Sequence, residues 1–130
     1  MNLNVNFNDK LPIYQQIINQ IIFRIVSGEL APGDEISSVR KLAESLVINP
    51  NTISKAYYQL EMMGLAEKRR GMGTYVTTSA VEIARGLGTD IILSSIDSLL
   101  QESSTLRIPL DDLVLLIRKR ASKLKGGLHD

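Results

Sequence analysis

The stretch VINPNTISKAYYQLEMMGL, Val47 to Leu65, decides how this chain reads. Asn49 suits a helix N-cap, where a short side-chain oxygen accepts from an early amide, and Pro50 suits the first helical position, which needs no amide hydrogen. From there Ile53, Ala56, Tyr57, Leu60 and Gly64 fall on one arc, while Asn51, Lys55, Tyr58 and Met62 lie near the opposite side and Thr52 at the flank. A helix with a good apolar face thus begins with a polar turn that points away from the core. Asparagine can bridge two atoms of adenine, threonine can reach a base or a phosphate, lysine is a point charge for a phosphate, and the helix N-terminus itself attracts phosphate. The competing account is that Asn49 only caps and its neighbours only solvate the surface.

Working outward, Pro12 opens a helix in which Ile13, Ile17, Ile21 and Ile25, flanked by Tyr14, Ile18 and Ile22, make a broad apolar stripe ending at Ser27-Gly28. LAPGDE is a turn, after which Ser37 or Ser38 caps a helix of about two turns carrying Val39, Leu42, Ala43 and Leu46 inward. Downstream of Gly64, Leu65 to Arg70 and Thr74 to Thr77 read as two strands around Gly71-Met72-Gly73, a hairpin. Leu3, Val5 and Phe7 alternate with asparagines, which reads as a short edge strand or an extended arm. Three helices and a hairpin, with a short second helix and a polar start to the third, are the plan of a winged helix-turn-helix, whose second motif helix meets base edges in the major groove.

Composition narrows the chemistry. The chain has 130 residues and 44% hydrophobic content, enough for one ordinary domain or a small domain with an appendage. Without cysteine, and with His129 as its single histidine, it carries neither a disulfide framework nor a thiolate or multi-histidine zinc site. MNLNVNFNDK lacks the basic start and apolar run of a secretory signal, and no stretch approaches the roughly 18 apolar residues of a membrane span, so a cytoplasmic protein is expected. The net charge is only +1, and any electrostatic footprint must come from folding Arg40, Lys41, Lys55 and Lys68-Arg69-Arg70 together. GMGT lacks the third glycine, or the Gly-Lys-Ser/Thr ending, of a nucleotide loop, and the residues after it favour strand. Asp111-Asp112 precede an apolar run and suit a helix N-terminal dipole better than a paired-carboxylate site. No nucleophile stands with a base, and no enzyme, cofactor or metal is expected.

Pro12 to Val76 resembles the N-terminal DNA-binding domain of the GntR family of bacterial transcription regulators. The resemblance is carried by the Pro-Ile-Tyr opening, Gly28, Leu30, Pro32-Gly33, Ser38-Val39-Arg40, Leu42-Ala43, Asn49-Pro50-Asn51-Thr52, Lys55-Ala56-Tyr57, Leu60-Glu61, Gly64-Leu65 and Arg70-Gly71-Met72-Gly73-Thr74. It implies that Arg40 contacts DNA at the start of helix two, that Asn49, Asn51 and Thr52 touch it from the recognition helix, and that Arg70 and Gly71 enter the minor groove from the wing. Lys55 joins this set as a backbone contact. One departure lies in Ile36-Ser37-Ser38, where the family usually has a proline directly before the serine of the helix-two start and this chain has Ser37; loss of that proline frees the backbone that aims Arg40 and provides another possible cap.

Beyond Thr78, a helix from about Ser79 to Ser103 and another from about Pro109 to Lys125 each present an apolar face, with Gly86 and Gly88 marking a kink or break in the first. Two such helices are too small for a ligand domain, and a twofold partner offers the burial they need. Residues 1–78 are accordingly expected to form the winged helix and 79–130 a dimerisation segment using Leu87, Ile91, Ile92, Ile96, Leu99, Leu113 and Ile117. A short two-helix tail is similar to that of the YtrA-type subgroup. The expected fold is mainly α with a small β-hairpin, and the expected function is a homodimeric repressor on double-stranded DNA with an inverted-repeat operator. Two alternatives remain open: a winged-helix module that binds protein through Tyr58 and Met62, and a regulator with an additional small-molecule effector.

Overall fold

The computed structural model describes residues 1–125; His129 lies outside the described residues. Its elements run α1 (Ile13–Ser27), α2 (Val39–Leu46), α3 (Pro50–Met62), β1 (Ala66–Arg69), β2 (Gly73–Val76), α4 (Ala80–Thr105) and α5 (Leu110–Lys123). Contacts divide the chain into two compact units, Met1–Ile91 and the residues from Ile92 onward. α4 runs through this division, 13 residues beyond the Thr78 boundary expected from sequence.

The first unit is built as the periodicity predicts. Ile17, Ile18, Ile21 and Ile25 of α1, Leu42 of α2, and Ile53, Ala56 and Leu60 of α3 are almost wholly removed from water. Each fully buried aliphatic side chain contributes about 1.5–3 kcal/mol relative to leaving it exposed, so this shared core dominates the unit's stability. α1 ends on Gly28, whose φ of 87° is left-handed and suits a residue without Cβ. α2 ends differently: Val47, 85% exposed, takes φ 55° and ψ 51°. A β-branched residue there costs on the order of 1–2 kcal/mol. The Asn49 side chain accepts from the Asn51 amide at 2.8 Å and Pro50 occupies the first turn of α3, as expected.

β1 and β2 pair antiparallel, Ala66 opposite Val76 and Arg69 opposite Gly73. The first strand is a residue shorter at each end than expected and the second is shifted back by one residue, and the turn before α2 unexpectedly joins them. Gly33 and Ile36 donate to the carbonyls of Val76 and Thr74, both at 2.8 Å, Val76 donates back to Asp34 at 2.9 Å, and Glu35 forms an antiparallel bridge with Tyr75. Gly73 takes a φ of 124°, which residues with a side chain rarely adopt, so this corner of the wing favours glycine; a Cβ there would also displace the flexible Glu35 carboxylate, 2.6 Å away.

The N-terminal residues form an extended arm rather than an edge strand. The arm lies antiparallel along α1, and its backbone bonds to side chains of the helix. Asn6 N–H donates to Gln16 Oε1 at 2.8 Å, Asn4 N–H donates to Gln20 Oε1 at 2.9 Å, and the carbonyls of Asn6, Asn4 and Asn2 accept from Gln16, Gln20 and Arg24. The match is geometric: two extended residues advance about 6.6 Å and one i, i+4 step on a helix about 6.0 Å. Leu3, between two such rungs, is buried in the core.

α4 runs unbroken from Ala80 to Thr105 through Gly86 and Gly88, which corrects the break expected there. Each interior glycine costs about 1 kcal/mol relative to alanine, but the helix is held nearby. Ala80 and Ala84 are fully buried, and Val81, Ile83, Leu87 and Ile91 pack against the core of the first unit. In the second unit, Ser103 Oγ donates to the Ile108 carbonyl at 3.2 Å across the turn into α5, which Arg107 enters with φ 58°. Asp111 and Asp112 occupy the first turn of α5 and Arg120 and Lys123 the last, each favourable to the helix dipole.

Candidate nucleic-acid interface

The first turn of α3 is exposed at Asn51 and Ser54, half-buried at Thr52 and exposed again at Lys55. Asn49 and Asn51 are not equivalent there. The Asn49 side-chain oxygen is occupied by the cap bond to the Asn51 amide, leaving its NH₂ to donate outward. The Asn51 side-chain amide has no hydrogen-bond partner among the described residues and retains both donor and acceptor. The second arrangement leaves both groups unengaged for a paired contact to adenine.

The elements around this turn are tied to it through residues 33–38. Buried Tyr57 of α3 donates from its hydroxyl to the Ser37 carbonyl at 2.5 Å. Ser38 caps α2 by accepting from the Lys41 amide at 3.1 Å, and Ile36 is hydrogen-bonded to Thr74 in the wing. One short segment therefore links the recognition helix, the start of α2 and the hairpin. Of the two serines at the departure from the family pattern, Ser38 supplies the cap and Ser37 the carbonyl that Tyr57 bonds, while Ile36 beside them is buried in the core.

Burial pushes the Tyr57 phenol well above its ordinary value of 10.0. Above about pH 10 the unfolded chain loses this proton while the folded chain keeps it. Stability should therefore be level up to that point and decline above it, by about 1.4 kcal/mol per pH unit from this group. Tyr57→Phe should remove that extra decline in alkaline chemical denaturation. At neutral pH it should cost about 1–3 kcal/mol, because the Ser37 carbonyl loses its partner.

Arg40, Lys55 and the wing cations are held in three ways. Arg40 is 91% exposed at its side chain and pairs with Glu44 one turn along α2 at 3.3 Å, so it must leave or share that carboxylate to take a phosphate. Arg69 lies 4.1 Å from the Tyr75 ring centre and 3.7 Å from Glu67, which holds it on the face of the hairpin. Arg70 has no ion pair among the described residues and stands beside Gly71, whose φ is 73°. Lys55 Nζ sits 3.9 Å above the ring of Tyr14, in the first turn of α1. The sequence placed Tyr14 in an apolar stripe and in the Pro-Ile-Tyr opening of the family resemblance, with no partner for it. No spacing rule joins positions 14 and 55, so this partner had no local signal.

The residues expected to form a dimer interface differ in exposure. Leu87 and Ile91 are partly buried against the first unit, and Leu113 is buried within the second. Ile92, Ile96, Leu99 and Ile117 remain exposed. Leu99, Leu106, Ile108, Leu113, Leu116 and Ile117 line an apolar hollow of about 620 Å³ between the end of α4 and α5, with Glu102 and Arg120 among its polar members. Among the described residues no cluster of acidic or histidine side chains could hold a metal, and no helix is long and apolar enough to cross a membrane.

Comparison with known proteins agrees with this geometry. Residues 13–76 match the family profile of bacterial regulatory proteins, gntR family. The HTH-type transcriptional repressor YtrA of Bacillus subtilis is 35% identical over 126 residues, 96% of each chain. A GntR family transcriptional regulator from Listeria monocytogenes superposes with a TM-score of 0.72 at 35% identity, covering 87% of this chain and 98% of its own. The DNA-binding domain of AraR, solved in complex with operator ORX1, superposes with a TM-score of 0.53 at 29% identity over 59% of this chain and 99% of its own. These proteins are regulators, not enzymes. With the profile spanning the three helices and the wing, and a repressor aligned along nearly the whole length, the chain belongs to the GntR family of bacterial transcription regulators.

Proposed function

We propose that the protein is a dimeric repressor that binds an inverted-repeat operator. The observation that carries the reading is the exposed first turn of α3, where Asn51 keeps a free amide beside Thr52 and Lys55. Arg40 at the start of α2 and Arg70 with Gly71 in the wing complete the DNA-contacting set, Asn49 adding a donor from its cap position. The solved AraR complex supports this, because in that protein the same fold engages an operator. Repression follows YtrA, the relative aligned along almost the whole chain, and needs only occlusion of a promoter.

The second copy is argued from burial. Twelve large apolar side chains from Ile92 to Leu124 are more than a third exposed, far more than an isolated helix pair leaves to water without a partner. Residues 79–130 accordingly act as the dimerisation segment, with Ile92, Ile96, Leu99, Leu113 and Ile117 at its centre and Leu87 and Ile91 anchoring α4 to the winged helix of residues 1–78. A twofold pair of recognition helices requires half-sites about one helical turn, roughly 10 base pairs, or a multiple apart.

Selection of bound duplexes from a random pool tests the reading. Enrichment of an inverted repeat with that spacing is expected, with binding that weakens steeply with salt at a log-log slope of about −0.9 for each neutralised phosphate. Enrichment of an asymmetric single site would overturn the dimer. A second reading rests on Tyr58 and Met62, 57% and 68% exposed on α3, as a protein-docking face. It requires no enrichment of any DNA.

A further inference from the structure

We infer that Tyr14 is a positioning residue for DNA binding, holding the Lys55 ammonium where it meets a backbone phosphate. The inference rests on the proposed reading of α3 as the recognition helix and goes beyond it by assigning a role to α1. Lys55 Nζ lies 3.9 Å from the centre of the Tyr14 ring, well inside the range in which the negative face of an aromatic ring attracts a cation. The ring is itself fixed. Tyr14 is half-buried and packs against the core shared by α1 and α3.

The chemistry of the partner matters. A free lysine side chain carries about 2 kcal/mol of rotamer entropy, part of which is lost whenever its charge is localised on a phosphate. A carboxylate could localise it beforehand but would cancel its charge, as Glu44 does for Arg40 at 3.3 Å. A neutral ring restrains the ammonium and leaves the full charge available. Lys55 has no acidic partner among the described residues, and α1 has no acidic residue in its first turn. The site is thus a cation held in place and not neutralised, which is what preorganised phosphate binding requires. Tyr14 does not touch the nucleic acid in this scheme; it acts through Lys55.

The test replaces Tyr14 in the full-length chain by phenylalanine and by progressively fluorinated phenylalanines, which weaken the ring's negative face at nearly constant size and so preserve the fold. Affinity is measured with a fluorescein-labelled duplex enriched by the selection above. Phenylalanine should bind within about twofold of the parent protein. Full fluorination should weaken binding roughly 4- to 25-fold over two protomers, from about two- to fivefold at each exposed cation–π site. Lys55→Met should lower the salt slope by about one per protomer, and in that background the fluorinated series should be flat. Upfield ring-current shifts of the Lys55 Hε protons, seen in the parent protein and lost in a Tyr14→Leu variant, would report the contact directly. A fluorination series that falls equally in the Lys55→Met background would overturn the inference, and so would a phenylalanine variant as weak as the fully fluorinated one, since the hydroxyl would then be the active group. A Lys55→Met variant with an unchanged salt slope would overturn it too. That last result leaves the recognition-helix reading intact as long as Asn51 still governs base preference.

Discussion

Asn51→Ala is expected to abolish preference at one symmetric pair of operator positions while leaving the protein as stable as its parent. The Asn51 side chain makes no hydrogen bond within the described residues, so its removal takes nothing from the fold. A paired asparagine–adenine contact is worth about 1–3 kcal/mol, and a twofold complex loses two of them, so affinity for the selected operator should fall roughly 30-fold to 10⁴-fold. Affinity for an operator already altered at those positions should barely change. Asn49→Ala should differ in also lowering thermal stability, by about 0.5–2 kcal/mol, through loss of the cap. Binding titrations across all four bases at each half-site position, beside thermal melts of both variants, separate the two asparagines. An Asn51 variant that retains the parent's base preferences would show that α3 positions the protein without reading sequence.

Ending the chain at Ile91 is expected to give a folded, monomeric DNA-binding unit with affinity for a full operator reduced on the order of 10²-fold or more. Linking two half-site contacts makes the second effectively intramolecular, and a monomer forfeits that gain while its affinity for a half-site stays the same. The choice of endpoint matters. Ending at Thr78 would strip Ala80 and Ala84 from the core together with the packing of Ile83, Leu87 and Ile91, so that shorter chain should melt at a clearly lower temperature. Sedimentation and melting of the two truncations beside the full chain decide the matter. A dimeric 1–91 protein would move the interface into the winged helix, and an undiminished melting temperature for 1–78 would put the end of the folding unit at Thr78.

What the sequence disclosed, and what it concealed, divides along physical lines. The faces of α1 and α3, the Asn49 cap and the polar first turn follow from a 3.6-residue period and local capping chemistry, both visible within a dozen residues. The joining of Glu35 to Tyr75 was hidden because a bridge between positions 40 apart leaves no periodic trace. α2 stops at Val47 without the glycine that usually advertises a left-handed terminus, so its end could be inferred only from Asn49-Pro50 beyond it. Gly86 and Gly88 misled in the other direction. Their propensity is a local cost, and the buried alanines preceding them supply a tertiary gain that no local reading weighs. The candidate interface was legible on α3 because base contact demands exposed polar groups at one helix end. Tyr14 was not, because its part is played through a contact made only on folding.

The arm along α1 has a consequence for how this lineage can change. Gln16, Gln20 and Arg24 hold Asn2, Asn4 and Asn6 by their peptide groups, which every amino acid except proline supplies in full. The docking code is therefore written almost entirely in the helix. Positions 2 and 4 are free to drift through most of the amino-acid alphabet without loosening the arm, whereas a single change at Gln16 or Gln20 breaks two rungs at once. Among descendants of this protein the arm should be variable in letters and constant in course, with substitutions filtered at the three helix positions and at Leu3, and with proline alone purged from the rest.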